Sequence, residues 1–146
     1  MWWWRRGRIS APAFHRCTGD YPPGITQVHA GDYRNPDSLP DGSVAVIGSG
    51  ASGCQIADEL LDAGRDVYLC VGRHQRAPRR YRGRDVFWWR RELGLLDETA
   101  DKVPPERRLP PPLVTGMHGG YDVDLRHSAA RGLALRGHLQ DIDKGL

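Results

Sequence analysis

Residues 44–73 read VAVIGSGASGCQIADELLDAGRDVYLCVGR, and this stretch decides the fold class. Residues 43–48 form a short apolar run, which is typical of a buried strand in a parallel sheet. Residues 51–64 carry apolar side chains at helical spacing, and the run ends at Gly64, a common helix stop. Residues 66–71 form a second apolar run and predict a second strand. The order strand, glycine turn, helix and strand predicts half of a doubly wound, parallel α/β (Rossmann-like) domain.

The turn between the first strand and the helix fits the pattern G-x-G-x-x-G. In this pattern the first glycine permits a tight turn, and the second lets the backbone approach a pyrophosphate. The third lets the helix pack close to the strand, so that the helix amides and dipole face the anion. The flanking strands and helix supply the context that the motif requires, and a tight turn without a ligand is the alternative. The residues predicted to bind the cofactor here are Gly48, Ser49, Gly50, Ala51, Ser52 and Gly53.

The end of the second predicted strand favours one cofactor over another. Sites for NAD or FAD carry an acidic residue there, which holds the ribose hydroxyls. This chain instead has Arg73, twenty residues after Gly53, and Arg76, Arg79 and Arg80 follow closely. Guanidinium groups without a carboxylate favour a 2′-phosphate, so we predict NADP(H), bound by Arg73 and Arg80. A solvated basic loop is the alternative for the arginines after Arg73.

The rest of the chain divides into an irregular N-terminal segment and the remainder of the α/β domain. Residues 1–42 contain several turn and extended-chain signals, and we interpret them as a linker or hinge. Residues 43–146 are interpreted as an incomplete NAD(P)-binding domain. Within them we predict four further features: a helix over about 85–96, a long loop over 103–120, a helix over about 122–131 and a short strand over 133–137.

Composition excludes several classes of protein. The chain has 146 residues, 39% hydrophobic and 27% charged, which is typical of one globular domain. Its three cysteines are far apart, which argues against a zinc ribbon, a disulfide framework and a dithiol redox centre. The histidines show no metal-ligand spacing, so no metal site is predicted. No apolar run approaches the roughly 18 residues of a membrane span, and the N-terminus does not fit a signal peptide. We therefore expect a cytoplasmic protein.

A basic stretch rich in aromatic residues leaves a nucleic-acid surface as a less favoured alternative. Arginine alternates there with Tyr81, Phe87, Trp88 and Trp89, a combination that nucleic-acid surfaces also use. The net charge is only +3, which is modest for a nucleic-acid-binding protein. The cluster also directly follows a dinucleotide turn, which offers a nearer explanation for its charge.

Two common types of oxidoreductase do not fit the sequence, whereas its resemblance to a third type is specific. No tyrosine is followed four residues later by lysine, as a short-chain dehydrogenase requires, and the paired cysteines of a disulfide reductase are missing. Residues 28–73, from VHAGDYRNPDSLPDG to VYLCVGR, resemble the middle of a flavin-dependent monooxygenase of the flavin-containing and Baeyer–Villiger type. Among these, the chain is most similar to the bacterial flavoproteins that carry a potassium-transport label. The resemblance extends over about residues 20–140.

The resemblance also assigns a role to a histidine. In that family a histidine-bearing fingerprint precedes the NADP glycine motif, and Gly24, His29 and Tyr33 stand in the corresponding places. The chain departs from the fingerprint, because the gap from Gly24 to His29 is one residue longer and Pro22 replaces phenylalanine. The resemblance implies that His29 is a linker element that senses the cofactor and couples the domains. The alternative is a linker histidine whose ring forms hydrogen bonds with backbone groups.

The resemblance implies that the parent protein transfers hydride from NADPH to FAD and that reduced flavin then activates oxygen. The chain has a single G-x-G-x-x-G, so it lacks the FAD motif and resembles a truncated product or an excised domain. We therefore expect the chain alone to be inactive as an enzyme and assign it no catalytic residue. A stand-alone NADP-binding or partner-docking module, working with a separately encoded FAD domain, is the alternative.

Overall fold

A computed structural model describes residues 24–72, 76–97, 99, 113–116 and 119–139 of the chain. The chain divides into two units, one formed by Val28–Leu139 and the other by Met1–Gln27 with Gln140–Leu146. All helices and strands given below belong to the unit Val28–Leu139. The predicted cofactor contact Arg73 lies outside the described residues.

The unit contains a parallel three-stranded sheet, a short antiparallel hairpin and three α-helices. A 3-10 helix at Pro36–Ser38 precedes them. In chain order the elements are β1 (Val44–Ile47), α1 (Ala51–Asp62), β2 (Val67–Cys70), β3 (Arg80–Tyr81), β4 (Arg84–Asp85), α2 (Val86–Glu92), α3 (Leu125–Ala130) and β5 (Ala134–Arg136). The parallel sheet has the order β1-β2-β5, with Val44 opposite Val67 and Tyr68 opposite Ala134.

This arrangement confirms the predicted α/β class with a parallel sheet. Both strands and the helix around the glycine turn are present, as are the later helix and the short third strand. The chain passes from β1 through α1 to β2 and later through α3 to β5, which is the sheet pattern expected for part of a Rossmann-like domain. The helix predicted over 85–96 is shorter, since α2 ends at Glu92.

The core lies between α1 and one face of the parallel sheet. Helix α1 contributes a stripe at helical spacing, formed by Cys54, Ala57 and Leu60, each at most 3% exposed. Strand β2 contributes Val67 and Leu69, which are equally buried. These side chains form one apolar cluster, to which the turns flanking α3 add Val123 and Leu133. The cluster fixes α1 against the sheet.

The opposite face of the sheet is exposed in the part of the chain that the structure describes. Ile47 on β1 is 46% exposed and Tyr68 on β2 is 37% exposed. A doubly wound sheet carries helices on both faces. Among the described residues, helices α1 and α3 contact each other through the hydrogen bond from the Ser128 hydroxyl to Asp58.

The hairpin formed by β3 and β4 was not predicted. Arg80 pairs with Asp85 and Tyr81 with Arg84, and the turn between them places Arg82 at φ 48° and Gly83 at φ 73°. Two successive residues with positive φ form the turn that suits a two-residue hairpin. Each strand has only two residues, so an alternating pattern could not show in the sequence.

Hydrogen bonds join the segment before β1 to the C-terminal end of α1. Helix α1 ends just before Gly64, as predicted. Gly64 adopts φ 74°, and its amide donates to the Leu61 carbonyl. The next residue, Arg65, donates from its guanidinium to the backbone carbonyls of Pro36, Pro40 and Gly42. One arginine thereby orders several residues of a segment whose sequence shows only turn signals.

Candidate functional site

The glycine turn follows β1 and leads directly into α1. Gly48 adopts φ +103°, a left-handed conformation that favours glycine, and its amide donates to the Cys70 carbonyl at 3.0 Å. A Cβ built on Gly53 would lie 2.0 Å from the Gly48 carbonyl oxygen. The first turn of α1 therefore touches the strand-ending turn, and a side chain at Gly53 would force the two apart.

Gly50 differs from both of these glycines. Its backbone is extended, at φ −73° and ψ 178°, so any residue could adopt it, and a Cβ there would meet no atom within 4 Å. Among the described residues, neither backbone strain nor packing requires glycine at this position. Gly50 is the N-cap of α1, and its carbonyl accepts from the Cys54 amide at 2.9 Å. The space in front of Gly50 is open, as a closely approaching pyrophosphate requires.

The first turn of α1 offers backbone donors beside this open space. In any α-helix the first amides have no carbonyl partner within the helix, and here they belong to Ala51, Ser52 and Gly53. Gly50, the N-cap residue, has no side chain that could accept a hydrogen bond from these amides. Ala51 and Ser52 are exposed, whereas Ser49 is buried and accepts from the Cys54 thiol through its carbonyl at 3.5 Å. The turn can therefore present amides to an anion.

The ends of β2 and β5 lie next to the glycine turn because all three strands are parallel. The Gly48 amide bonds to Cys70, and the Val71 amide donates to the Arg136 carbonyl at 2.9 Å. Gly72, the last described residue before Arg73, lies against His138. The end of β2, as far as Gly72, therefore lies at the same sheet edge as the glycine turn.

Two of the arginines after Arg73 are engaged within the fold. Arg76 lies 3.3 Å from Asp122 and 3.4 Å from Asp124. Arg79 donates from Nε to Asp85 at 2.7 Å and from its guanidinium to the Thr115 carbonyl at 3.4 Å.

These contacts join the hairpin to the residues that precede α3. Arg80 is exposed on β3 opposite Asp85, and its predicted contact with a 2′-phosphate stays a prediction.

His29 takes part in a local turn. Its Nδ1 accepts from the Gly31 amide at 3.1 Å, and its carbonyl accepts from the amides of Asp32 and Tyr33. Because Nδ1 accepts a hydrogen bond, the neutral ring carries its proton on Nε2. This geometry agrees with a histidine that bonds to backbone groups. The role that the family resemblance implies for His29 stays a prediction.

A buried carboxylate between α1 and α3 was not predicted from the sequence. Asp58 is 6% exposed and accepts from the Tyr121 hydroxyl and the Ser128 hydroxyl, each at 2.9 Å. Arg131 lies 3.7 Å from the same carboxylate and also pairs with Asp62. Burial and the hydrogen bond to Asp58 raise the pKa of Tyr121 to about 12. The partners stand more than sixty residues from Asp58, so no local pattern reveals them.

Several aromatic rings of the basic stretch are covered by arginines of the chain itself. The guanidinium carbons of Arg82 and Arg84 lie 5.5 and 5.1 Å from the ring centres of Tyr81 and Trp88. These distances are typical of cation–π contacts. A ring face that already holds a guanidinium is less available for stacking with a nucleic-acid base.

The described part of the chain contains neither a candidate metal-binding cluster nor a helix that could span a membrane. Among those residues, no group of three or more His, Cys, Asp and Glu side chains could hold a metal ion. None of the described helices is both long and apolar enough to cross a bilayer. Cys54 and Cys70 are both buried free thiols, and burial raises the pKa of Cys54 to about 11.

Curated proteins similar to this chain are oxidoreductases by name. A protein of Geobacillus kaustophilus called uncharacterized oxidoreductase CzcO-like is 47% identical over 74 residues, which is 50% of this chain and 21% of that protein. Two proteins called uncharacterized oxidoreductase CzcO, from Bacillus subtilis and Bacillus velezensis, are 33% and 32% identical over 90 residues, which is 62% of this chain and 26% of each protein.

The chain thus spans about a fifth to a quarter of the length of these relatives. No family model matches the sequence. No solved structure matches it either.

Proposed function

We propose that this chain binds NADP(H) and is the part of an FAD-dependent oxidoreductase or monooxygenase that positions NADPH for hydride transfer to flavin. The observation that carries the proposal is the contrast among the three glycines of one turn. Gly48 and Gly53 are required by the fold itself, whereas Gly50 leaves open space where a bound pyrophosphate would approach. The similarity to proteins named oxidoreductases supports the same class of function.

The residues present fit a dinucleotide in a defined way. The pyrophosphate would take the amides at the start of α1, from Gly50 to Gly53, where the helix dipole also favours an anion. Arg73 would hold the 2′-phosphate at the end of β2, and Arg80 would add positive charge. Bound NADPH supplies the hydride, and the contribution of this chain is to bind and orient the donor.

The flavin is proposed to be bound by protein beyond the single glycine motif of this chain. Because the sequence offers one dinucleotide motif, we expect no oxygenase turnover from the chain alone. A stand-alone NADP-binding module that docks on a separately encoded FAD domain remains the second candidate. A gene for an FAD-domain fragment beside this one would support that second candidate.

A nucleic-acid-binding function is less well supported. The arginines beside Tyr81 and Trp88 cover those rings, and Arg76 and Arg79 pair with carboxylates. Binding through the remaining arginines would be electrostatic and would fall steeply with salt. Absence of any DNA binding at low salt would exclude this candidate.

Calorimetric titration of the purified chain with NADPH and NADH tests the proposed function. Loss of a charged hydrogen bond, about 1.5–3 kcal/mol, corresponds to roughly a ten- to hundredfold change in affinity. Arg73→Ala should therefore weaken NADPH binding by about that factor and leave NADH nearly unchanged. Gly50→Val should weaken both nucleotides, because both share the pyrophosphate.

Arg91→Ala is the matched control, since this arginine lies on α2 with 75% of its side chain exposed and pairs only weakly with Glu92. It should bind both nucleotides like the original chain. Equal losses of NADPH and NADH in Arg73→Ala would contradict the NADP(H) assignment. A flavin absorption spectrum in the purified chain would contradict the placement of the FAD site elsewhere.

A further inference from the structure

The backbone position of Arg65 is fixed by the turn that ends α1. The Gly64 amide donates to the Leu61 carbonyl at 3.0 Å. The Arg65 amide donates to the Leu60 carbonyl, also at 3.0 Å. Together these two bonds form a Schellman motif, in which a residue with positive φ, here Gly64 at φ 74°, ends the helix. On the other side of Arg65, the Asp66 carbonyl accepts from the first amide of β1 at 2.8 Å.

The Arg65 side chain bonds to three backbone carbonyls of the segment before β1. Its Nε and Nη2 atoms donate to the Gly42 carbonyl at 3.3 and 3.0 Å. Nη1 donates to the Pro36 carbonyl at 3.4 Å, and Nη2 also donates to the Pro40 carbonyl. A guanidinium carries five N–H donors in one plane, so a single arginine can bond to several carbonyls at once.

Two side chains of the same segment pack against the core. Tyr33 and Leu39 are partly buried against the apolar cluster that α1 and the sheet form. Burial and the nearby Glu59, in the last turn of α1, raise the pKa of Tyr33 to about 12. Between them, the Ser38 amide donates to the Asn35 side chain at 2.9 Å, which holds the short 3-10 helix in shape. The segment is therefore ordered internally and also attached to the α/β unit.

These attachments lie at the end of α1 that is opposite the glycine turn. Helix α1 begins directly after Gly50, and at about 1.5 Å per residue its 12 residues span about 18 Å. Arg65 and Glu59 stand at its other end. The His29 carbonyl accepts from the Tyr33 amide at 3.1 Å, so one turn of chain joins the histidine to Tyr33. The turn that contains His29 is thereby connected to the C-terminal end of α1.

We propose that Arg65 holds residues 29–42 against the C-terminal end of α1, so that the segment with His29 moves together with the α/β unit and does not act as a hinge. The inference goes beyond the proposed NADP(H) function, because it concerns the motion of this segment and needs no bound nucleotide. A change at the glycine turn would then reach the His29 turn through the body of α1.

Hydrogen–deuterium exchange read by peptide mass spectrometry tests the inference. In Arg65→Ala, peptides from residues 29–42 should exchange at least about tenfold faster, because bonds from a charged donor no longer oppose local opening. Peptides from α1 and β2 should exchange as in the original chain. Arg65→Lys keeps the charge, but its single ammonium reaches fewer carbonyls, so the segment should stay at least partly released.

Arg34→Ala is the matched control, since this arginine belongs to the same segment and donates to the Gly31 carbonyl within it, at 3.1 Å. Peptides that contain Ser38 and Leu39 should exchange in this variant as they do in the original chain.

Three results would overturn the inference. The first is unchanged exchange of residues 29–42 in Arg65→Ala, and the second is equal acceleration in Arg65→Ala and Arg34→Ala. The third is uniform acceleration that includes α1 and β2, with a lower urea midpoint, because Arg65 would then stabilise the whole unit. Full protection in Arg65→Lys would contradict the need for several carbonyl contacts. Failure of the original chain to bind NADPH would contradict the proposed function alone.

Discussion

A methyl group on Gly53 would lie 2.0 Å from the carbonyl oxygen of Gly48, far inside any real contact distance. The carbonyl belongs to the backbone of the turn, so it cannot move aside as a flexible side chain would. The same methyl would lie 3.6 Å from a Val46 side-chain carbon, an ordinary contact. The distance between β1 and α1 is therefore set by the absence of a side chain at Gly53.

Gly53→Ala should destabilise the fold because the helix must move away from the turn. Forcing an extra carbon into a packed region costs about 1–3 kcal/mol. The gain of up to about 1 kcal/mol from replacing glycine by alanine in a helix offsets only part of this cost. Urea unfolding followed by far-UV circular dichroism measures the change in the free energy of unfolding.

Gly50→Ser is the control for that substitution. Serine is a favoured N-cap residue, and its Cβ would meet nothing within 4 Å. The variant should keep or slightly raise the free energy of unfolding. If Gly53→Ala unfolds at the same urea concentration as Gly50→Ser, the close packing of α1 on the turn is refuted.

Asp58→Ala should be one of the more damaging single substitutions in the chain. It removes the acceptor of the Tyr121 and Ser128 hydroxyls and leaves Arg131 with less compensation. Removal of the acceptor of a buried hydroxyl such as that of Ser128 costs about 1–3 kcal/mol, and Arg131 adds little because its side chain is 35% exposed and keeps Asp62. The free energy of unfolding from urea titration measures the loss.

Asp62→Ala provides the comparison, because Asp62 pairs with the same Arg131 but is 52% exposed in its side chain. An exposed ion pair contributes about 0–1 kcal/mol, so this variant should unfold nearly as the original does. Similar losses in the two variants would show that burial of Asp58 does not decide its contribution.

Stability at acid pH should depend on the carboxylate that caps α3. Asp124 accepts from the Arg126 amide at 3.0 Å, and this hydrogen bond lowers the pKa of Asp124 below its usual 3.8. A lowered pKa in the folded chain means that the stabilisation is complete above the unfolded pKa. It is lost as the pH falls through the folded pKa.

Asp124→Asn keeps a capping side chain but cannot titrate. Its urea midpoint should therefore fall less than that of the original chain between about pH 5 and pH 2. Asp97→Asn, which removes the charge of an exposed aspartate elsewhere in the chain, is the control for the change in net charge. A slope in Asp124→Asn identical to the original would argue against proton linkage at Asp124.

The thiol of Cys54 should resist alkylation while the chain is folded. Cys54 is 3% exposed, and burial together with the nearby Asp58 raises its pKa to about 11. At about pH 8 only about one thiol in a thousand would be ionised, against about a quarter of unperturbed thiols. Iodoacetamide labelling should be at least about a hundredfold slower than in urea.

Peptide mass spectrometry reads each cysteine separately, so labelling of Cys17 does not interfere. Folded and urea-unfolded samples serve as each other's control. Rapid labelling of Cys54 in the folded chain would show that α1 does not stay packed against the sheet.

The elements that depend on near neighbours could be predicted from the sequence alone. Apolar runs and helical spacing predicted β1, α1, β2 and β5, and the position of Gly64 predicted where α1 ends. These features follow from backbone geometry and side-chain periodicity, which act over a few residues. The spacing of Gly48, Gly50 and Gly53 identified the turn for the same reason.

Which residues meet across the chain emerges only in the folded structure. The glycine pattern predicted that Gly53 allows close packing, and the structure adds that the atom it approaches is the Gly48 carbonyl oxygen. Asp58 meets its hydroxyl partners, and Gly72 meets His138, across more than sixty residues of chain. Such contacts arise because parallel strands align their ends and because helices pack on one sheet face, and neither condition leaves a local pattern in the sequence.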